Sequence, residues 1–241
     1  MLAVRSPGRT GSDTVAPAPV VMLASRRYDV TRRTAAIVAA TMCAAILVGC
    51  AAGIDGDDDH RGAFLGGIAT PTPEATITPS PDSWVHAPTE RGYRIVVISA
   101  DDDPPTTTVL AAVDAWADEH DADVTVLAAA DDDQVEERID EAVAAAPDLV
   151  IGAGAGVVDV FALLAPQHLA QQFLVLGAQL PEPTENSTAV IWKGASFRGS
   201  GISTADDTDP SSVTPERAAD AIAAGLASIR WGLTGIVVSL P

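Results

Sequence analysis

Three short runs of the sequence combine residue types that can bind ions or small ligands. Asp101–Asp103 and Asp131–Asp133 are runs of three aspartates, and glycines alternate with alanines from Gly152 to Gly156. Clustered carboxylates could chelate a cation such as Mg²⁺, or they could form a phosphoacceptor pocket. Glycines let a ligand approach the backbone closely, and the free amides at the start of a helix favour anions.

These runs lack the residues that would identify a nucleotide site, a phosphoacceptor site or a catalytic nucleophile. The glycine spacing is neither GxGxxG nor a P-loop, because no Gly-Lys-Ser/Thr follows and no lysine is nearby. A receiver-type phosphoacceptor site needs a lysine on a late strand, whereas the only lysine, Lys193, follows a strand. No nucleophile elbow of the GxSxG type is present. The simpler interpretation is that the aspartates cap helices and solvate loops, so we predict no catalytic residue, no metal site and no cofactor.

The glycine run lies between two apolar stretches that predict how it is positioned. The apolar run 149–151 ends at Gly152, apolar residues then recur at threes and fours from Val157, and a second apolar run covers 173–176. This order predicts a strand, a helix and a second strand. A right-handed crossover makes the strands parallel and puts the glycine turn at the carboxyl edge of the sheet, where ligands bind in open α/β folds.

The same alternation extends over residues 91–241 and predicts an α/β domain with a doubly wound, mainly parallel sheet. Strands are predicted at 94–99, 124–127, 149–151, 173–176, 189–192 and 235–240, and helices at 106–119, after 131, after 157 and at 215–229. If the carboxyl edge holds a ligand, we expect the following residues to contact it: Asp101, Asp102, Asp131, Gly152, Gly154 and Trp192. Trp192 ends a predicted strand at this edge and could stack on a ring.

Residues 1–49 are predicted to be a secretory signal. Two pairs of arginines, 26–27 and 32–33, precede an uncharged apolar run over 34–49, which is short for a membrane span. The run closes with Leu47, Val48, Gly49 and Cys50, which resembles the signal of bacterial lipoproteins. That resemblance implies cleavage before Cys50 and lipidation of its thiol. An uncleaved membrane anchor and an ordinary signal peptide remain as alternatives.

Residues 50–90 are predicted to be a tether between the lipidated cysteine and the domain. No apolar periodicity persists there, and prolines at 71, 73, 79 and 81 alternate with threonine and serine. Proline at this density blocks helix and sheet pairing, so we expect an extended, solvated segment. Asp57–Asp59 with His60 could bind a metal ion, but a flexible acidic run is the simpler interpretation.

The net charge argues against one class of partner. The chain has a formal charge of −19, and six of its 14 basic residues precede residue 50, so the rest carries about −23. A surface this acidic repels phosphate backbones and anionic headgroups, so we predict no nucleic-acid partner.

The stretch 147–180, followed by Asn186–Val190 and Gly194–Gly199, resembles the basic membrane lipoprotein family. Members of that family are substrate-binding proteins of ABC importers with a type I periplasmic-binding fold. The resemblance implies a lipid-anchored protein on the extracytoplasmic face, a nucleoside-like ligand and an ABC permease partner. The chain departs from the family after the first strand of the domain, where Asp101–Pro105 stands in place of an aromatic-Asn pair that helps hold the ligand.

The resemblance covers only the first lobe of such a protein. About 150 residues make one lobe, so closure between two lobes would need a second chain, for example in a homodimer. We therefore expect a lipoprotein that binds a small molecule weakly and is not an enzyme. The alternative is an envelope interaction protein, without a transport role, whose cleft is degenerate.

Overall fold

The computed structural model describes residues 54–88, 90–204, 206 and 208–241. The predicted signal and Cys50 lie outside these residues. Within them, no helix has both the length and the apolar character needed to cross a membrane.

From residue 94 onward the described chain alternates between strands and helices, except that β5 is followed by β6 without a helix. The strands are β1 (Thr76–Ile77), β2 (Arg94–Ser99), β3 (Asp123–Ala128), β4 (Leu149–Ala153), β5 (Phe173–Leu176), β6 (Ser187–Ile191) and β7 (Ile236–Ser239). The helices are α1 (Ile54–Leu65), α2 (Pro104–His120), α3 (Asp132–Ala145), α4 (Val158–Leu164) and α5 (Pro215–Arg230). The strands predicted from the apolar runs therefore form within two residues of their expected bounds.

All seven strands form one sheet in the order β1-β7-β6-β5-β4-β2-β3, and every pair is parallel. Alternate residues of each central strand enter two separate cores. Ile95 and Val97 of β2 pack on the face covered by α1, α2 and α5, whereas Val96 and Ile98 pack on the face covered by α3 and α4. Because both faces are buried, the central strands are continuous apolar runs. The predicted doubly wound α/β fold is confirmed.

Helix ends follow the capping chemistry of the sequence. Thr214 accepts a hydrogen bond from the backbone N–H of Arg217 at 3.3 Å, and Pro215 opens α5. Proline suits this first helical position because its missing N–H would have no partner there. Asp103 and Asp131 cap α2 and α3 in the same way, through their carboxylates.

The extended tether predicted for residues 50–90 is wrong for the described part of that stretch. Residues 54–65 form α1, β1 pairs with β7, and a single 3₁₀ turn covers Ser83–His86. Phe64 is fully buried and Trp84 is 5% exposed, both in the core beside α5. The prolines at 71, 73, 79 and 81 did not prevent this packing because they lie between these elements rather than within them.

Candidate functional site

The sheet has one topological switch point, between β2 and β4. β2 pairs with β3 on one side and with β4 on the other, and Ser99 lies opposite Ala153 at the ends of β2 and β4. The chain leaves these two strands in opposite directions, which opens a crevice beyond their carboxyl ends. A crevice of about 90 Å³ lies there.

Of the candidate residues, Asp101 and Gly154 meet at this crevice. Both line it, as does Thr106 from the first turn of α2. Gly154 has a φ of +82°, and a Cβ at this position would come within 2.8 Å of the Thr106 hydroxyl oxygen. Glycine is therefore required here both by the backbone conformation and by the close approach of α2.

The second aspartate of the first run does not reach the crevice. Asp102 is exposed and is not among the lining residues, so it differs in position from its neighbour Asp101. Asp103 lines the crevice but is also the cap of α2, because its Oδ1 accepts a hydrogen bond from the Thr106 N–H at 2.8 Å. This pattern agrees with the interpretation that the aspartates cap helices.

Gly152 lies inside the core. It is buried in β4 opposite Ile98, and a Cβ there would meet Phe161 and Val157 at 2.9 Å. Its missing side chain makes room for α4 to pack on the sheet rather than for a ligand.

Asp131 also lies away from the crevice. Its Oδ1 accepts a hydrogen bond from the Gln134 N–H at 2.9 Å, which caps α3 beside the edge strand β3. Asp132 and Asp133 are exposed in the first turn of the helix, where negative charge complements the helix dipole. Over the described ranges, no group of three or more His, Cys, Asp or Glu side chains is arranged to hold a metal ion.

Trp192 is buried beneath a loop instead of being open to a ligand. Its side chain is 1% exposed, and its Nε1 donates a hydrogen bond to the Ser212 hydroxyl at 3.2 Å. A Cβ at Gly177 would lie 3.5 Å from its ring. A ligand could stack on this indole only after the loop had moved.

That loop, which we name the covering segment, comprises the described residues 193–204, 206 and 208–214 between β6 and α5. Gly194, Ala195 and Asp209 from it line the crevice, and the Asp209 N–H donates to the Gly194 carbonyl at 2.8 Å. Further along, the Asp159 carboxylate of α4 accepts a hydrogen bond from the Ser200 N–H at 3.2 Å. The covering segment therefore explains why the crevice is far smaller than the several hundred Å³ usual for ligand pockets.

The crevice favours a particular class of solute. Three carboxylates line it, from Asp101, Asp103 and Asp209, and none of its described lining residues is basic. Its chemistry therefore suits a neutral or cationic solute that donates hydrogen bonds, and it disfavours an anion.

The sequence reasoning did not find a second and larger cavity. A groove of about 580 Å³ lies between α2 and α5 on the opposite side of the fold from α3 and α4, and the turn Ser83–His86 lines part of it. Six alanines line it, namely Ala87, Ala111, Ala112, Ala115, Ala219 and Ala223. Facing alanines on two amphipathic helices were the available signal, but nothing in the sequence says that the two helices are neighbours.

Comparisons with known proteins give distant structural similarities. No protein-family model and no curated protein matches the sequence. The chain is similar to an ABC transporter solute-binding protein from Aeropyrum pernix K1, with 17% identity and a TM-score of 0.38 over 42% of this chain and 29% of that one. It is also similar to a solute-binding protein from Conexibacter woesei DSM 14684, with 20% identity and a TM-score of 0.35 over 42% and 35% of the two chains.

A periplasmic ribose ABC transporter protein, also from Conexibacter woesei DSM 14684, gives 13% identity and a TM-score of 0.36 over 65% of this chain and 56% of that one. In all three comparisons, the matched region spans less than two thirds of the other protein.

Proposed function

We propose that this protein is a lipid-anchored extracytoplasmic protein whose α/β lobe is a solute-binding domain. The sequence over 26–50 supports the export and anchoring, through its basic residues, apolar run and terminal Cys50. The observation that carries the binding role is the meeting of Asp101 and Gly154 in the crevice at the switch point.

The proposed ligand is a small polar molecule that donates hydrogen bonds, of the nucleoside or sugar type. Asp101 accepts hydrogen bonds from its hydroxyl or amino groups. Such a ligand is larger than the 90 Å³ crevice, so binding requires the covering segment to shift. The free energy of that shift reduces the affinity, and weak binding follows.

The proposed partners follow from the same role. A solute-binding lobe in the envelope delivers its ligand to a membrane permease of the ABC class. A second lobe, from another copy or another chain, would strengthen ligand binding by closing over the carboxyl edge of the sheet. We also propose, from the sequence resemblance, that the protein is related to the basic membrane lipoprotein family.

One observation favours a second candidate function. The covering segment closes the crevice to a volume that holds a few water molecules, as expected for a degenerate cleft. In that case the lobe is an envelope interaction domain without a transport role.

Calorimetric titration of the full chain with adenosine, inosine, uridine and ribose separates the two candidates. We expect at least one to bind with a dissociation constant of about 0.1–1 mM. Asp101→Asn should weaken that binding about tenfold by removing a charged hydrogen-bond acceptor. Asp102→Asn is the matched control, because its carboxylate lies outside the crevice, and it should leave the affinity unchanged. If none of these solutes binds to the folded protein, the interaction domain is the correct function.

A further inference from the structure

We propose that the groove between α2 and α5 is a binding site for a small organic cation that carries an aromatic or apolar ring. The groove has a volume of about 580 Å³, within the range of sites that enclose small molecules. It lies on a helix-covered face of the sheet and shares no lining residue with the carboxyl-edge crevice. This inference therefore does not rest on the proposed function.

Aromatic side chains form part of the groove wall. Trp116 and His120 stack with their ring centroids 4.3 Å apart and their planes 13° apart, so each ring covers one face of the other and the outer faces of the pair remain as aromatic surface. Trp84, from the segment before residue 90, adds a second indole to the lining, and its Nε1 donates a hydrogen bond to Asp220 at 3.3 Å. Indole faces attract cations as well as apolar rings.

The base of the groove is apolar, and its side walls are formed by small side chains. Ile222 and Leu226 of α5 line it beside Ala112 of α2. Alanine at these positions leaves space between two helices that otherwise pack against the same core. An apolar ring would fill this space and would remove apolar surface from water.

Among the described polar residues that line the groove, Glu119 offers a carboxylate acceptor. His120 Nδ1 donates to the Trp116 carbonyl at 2.7 Å, since a carbonyl only accepts. Glu119 lines the groove and is exposed, and within the described part of the chain it has no ion-pair partner. A ligand that pairs with this carboxylate must donate hydrogen bonds.

The charged side chains around the groove indicate the sign of the ligand's charge. The basic side chain at this end of the groove, Arg230, is paired with Glu90 at 2.9 Å, so their charges cancel. The nearby Tyr93 phenol adds no charge at neutral pH, and burial raises its pKa further, to about 12. Glu119 then remains as a net negative charge beside the aromatic surface, and it complements an ammonium group.

Three probes of similar size but different charge test this assignment on the full chain. We expect 2-phenylethylammonium to bind saturably, 2-phenylethanol to bind about tenfold more weakly, and phenylacetate more weakly still. Glu119→Gln should remove the preference for the ammonium probe. Glu137→Gln, an exposed carboxylate on α3 on the other face of the sheet, is the matched control and should preserve it.

A second pair of variants tests whether the probe occupies the groove. Ala115→Trp fills it from an exposed position on α2 and should abolish binding, whereas Ala144→Trp, at an exposed position on α3, should not. Equal affinity for the ammonium and alcohol probes would overturn the proposal, as would binding that survives Ala115→Trp. A dimer in sedimentation that Ala115→Trp dissociates would also overturn it, because a second copy would then occupy the groove.

Discussion

Phe64 and Trp231 pack edge to face, with ring centroids 5.3 Å apart and ring planes at 62°. Phe64 is near the end of α1, and Trp231 directly follows α5. The contact joins a stretch rich in acidic and proline residues to the core of the α/β lobe. Residues 54–88 are thus part of the lobe's packing.

Phe64→Ala should lower the free energy of unfolding by about 3 kcal/mol, because it empties a fully buried site beside Trp231. Ile68→Ala removes a large side chain that is 50% exposed, and it serves as the control with an expected loss below about 0.5 kcal/mol. Urea denaturation followed by tryptophan fluorescence measures both. Equal stabilities of the two variants would mean that α1 does not contribute to the core.

Gly154→Ala should destabilise the lobe by about 1–3 kcal/mol, because alanine at a φ of +82° is strained and its Cβ meets the Thr106 hydroxyl. A Cβ at Gly201 would meet no heavy atom within 4 Å, so Gly201→Ala is the matched control. Thermal unfolding of the two variants compares them. A Gly154→Ala midpoint equal to that of Gly201→Ala would contradict the close approach of α2 to this turn.

Asn186→Asp should lower the free energy of unfolding by about 3 kcal/mol. The two hydrogens of the buried Asn186 Nδ2 face three carbonyls, of Ala165 at 2.9 Å, of His168 at 3.1 Å and of Gln171 at 3.0 Å, so one hydrogen is shared between two of them. The aspartate carboxylate can only accept hydrogen bonds, so it would face these three carbonyl acceptors without a donor. Gln172→Glu makes the same chemical change at a half-buried amide with one carbonyl partner, so chemical denaturation at pH 7 should show a much smaller loss. If the two losses were similar, the three carbonyl contacts would have no special role.

The raised pKa of the Tyr93 phenol makes the free energy of unfolding depend on pH in the alkaline range. Burial raises the pKa of its phenol from 10.0 to about 12, and the negative charge of Asp148 adds to the effect. Its contribution to stability is present in full below pH 10 and is lost as the pH rises towards 12, because the unfolded chain releases the proton first.

Between pH 9 and pH 11 we expect this group to lower the free energy of unfolding by about 1 kcal/mol. Tyr93→Phe should remove that part of the decrease. Denaturation of both proteins at the two pH values is the measurement, and identical decreases would contradict the buried position of the phenol.

The central strands β2, β4 and β5 were predictable because each is a buried run of consecutive apolar residues. β5, for example, has exactly the bounds of the apolar run Phe173–Leu176, since both of its faces are covered by helices. The glycine turn and the first aspartate run were expected at one edge for the same reason, and Asp101 and Gly154 do meet there.

The features that the sequence did not predict have a common physical cause: they depend on long-range packing, which leaves little local pattern in the sequence. β1 has two residues, and Phe64 and Trp84 are isolated aromatics, so no periodicity marks them as core. The burial of Trp192 depends on the covering segment, whose path over the crevice is not encoded in strand or helix spacing. The groove between α2 and α5 likewise arises from two helices that are about a hundred residues apart in the sequence.

The proposal that this lobe is held at the extracytoplasmic face by a lipid is tested most directly by the mass of the mature protein. The full gene is expressed in a bacterium that processes lipoproteins, and the chain is recovered from the membrane fraction. We predict a mature chain that begins at Cys50 and carries a diacylglyceryl group, and a Cys50→Ala chain that is not lipidated. A chain recovered without lipid on Cys50, or cleaved at another residue, would contradict the proposal.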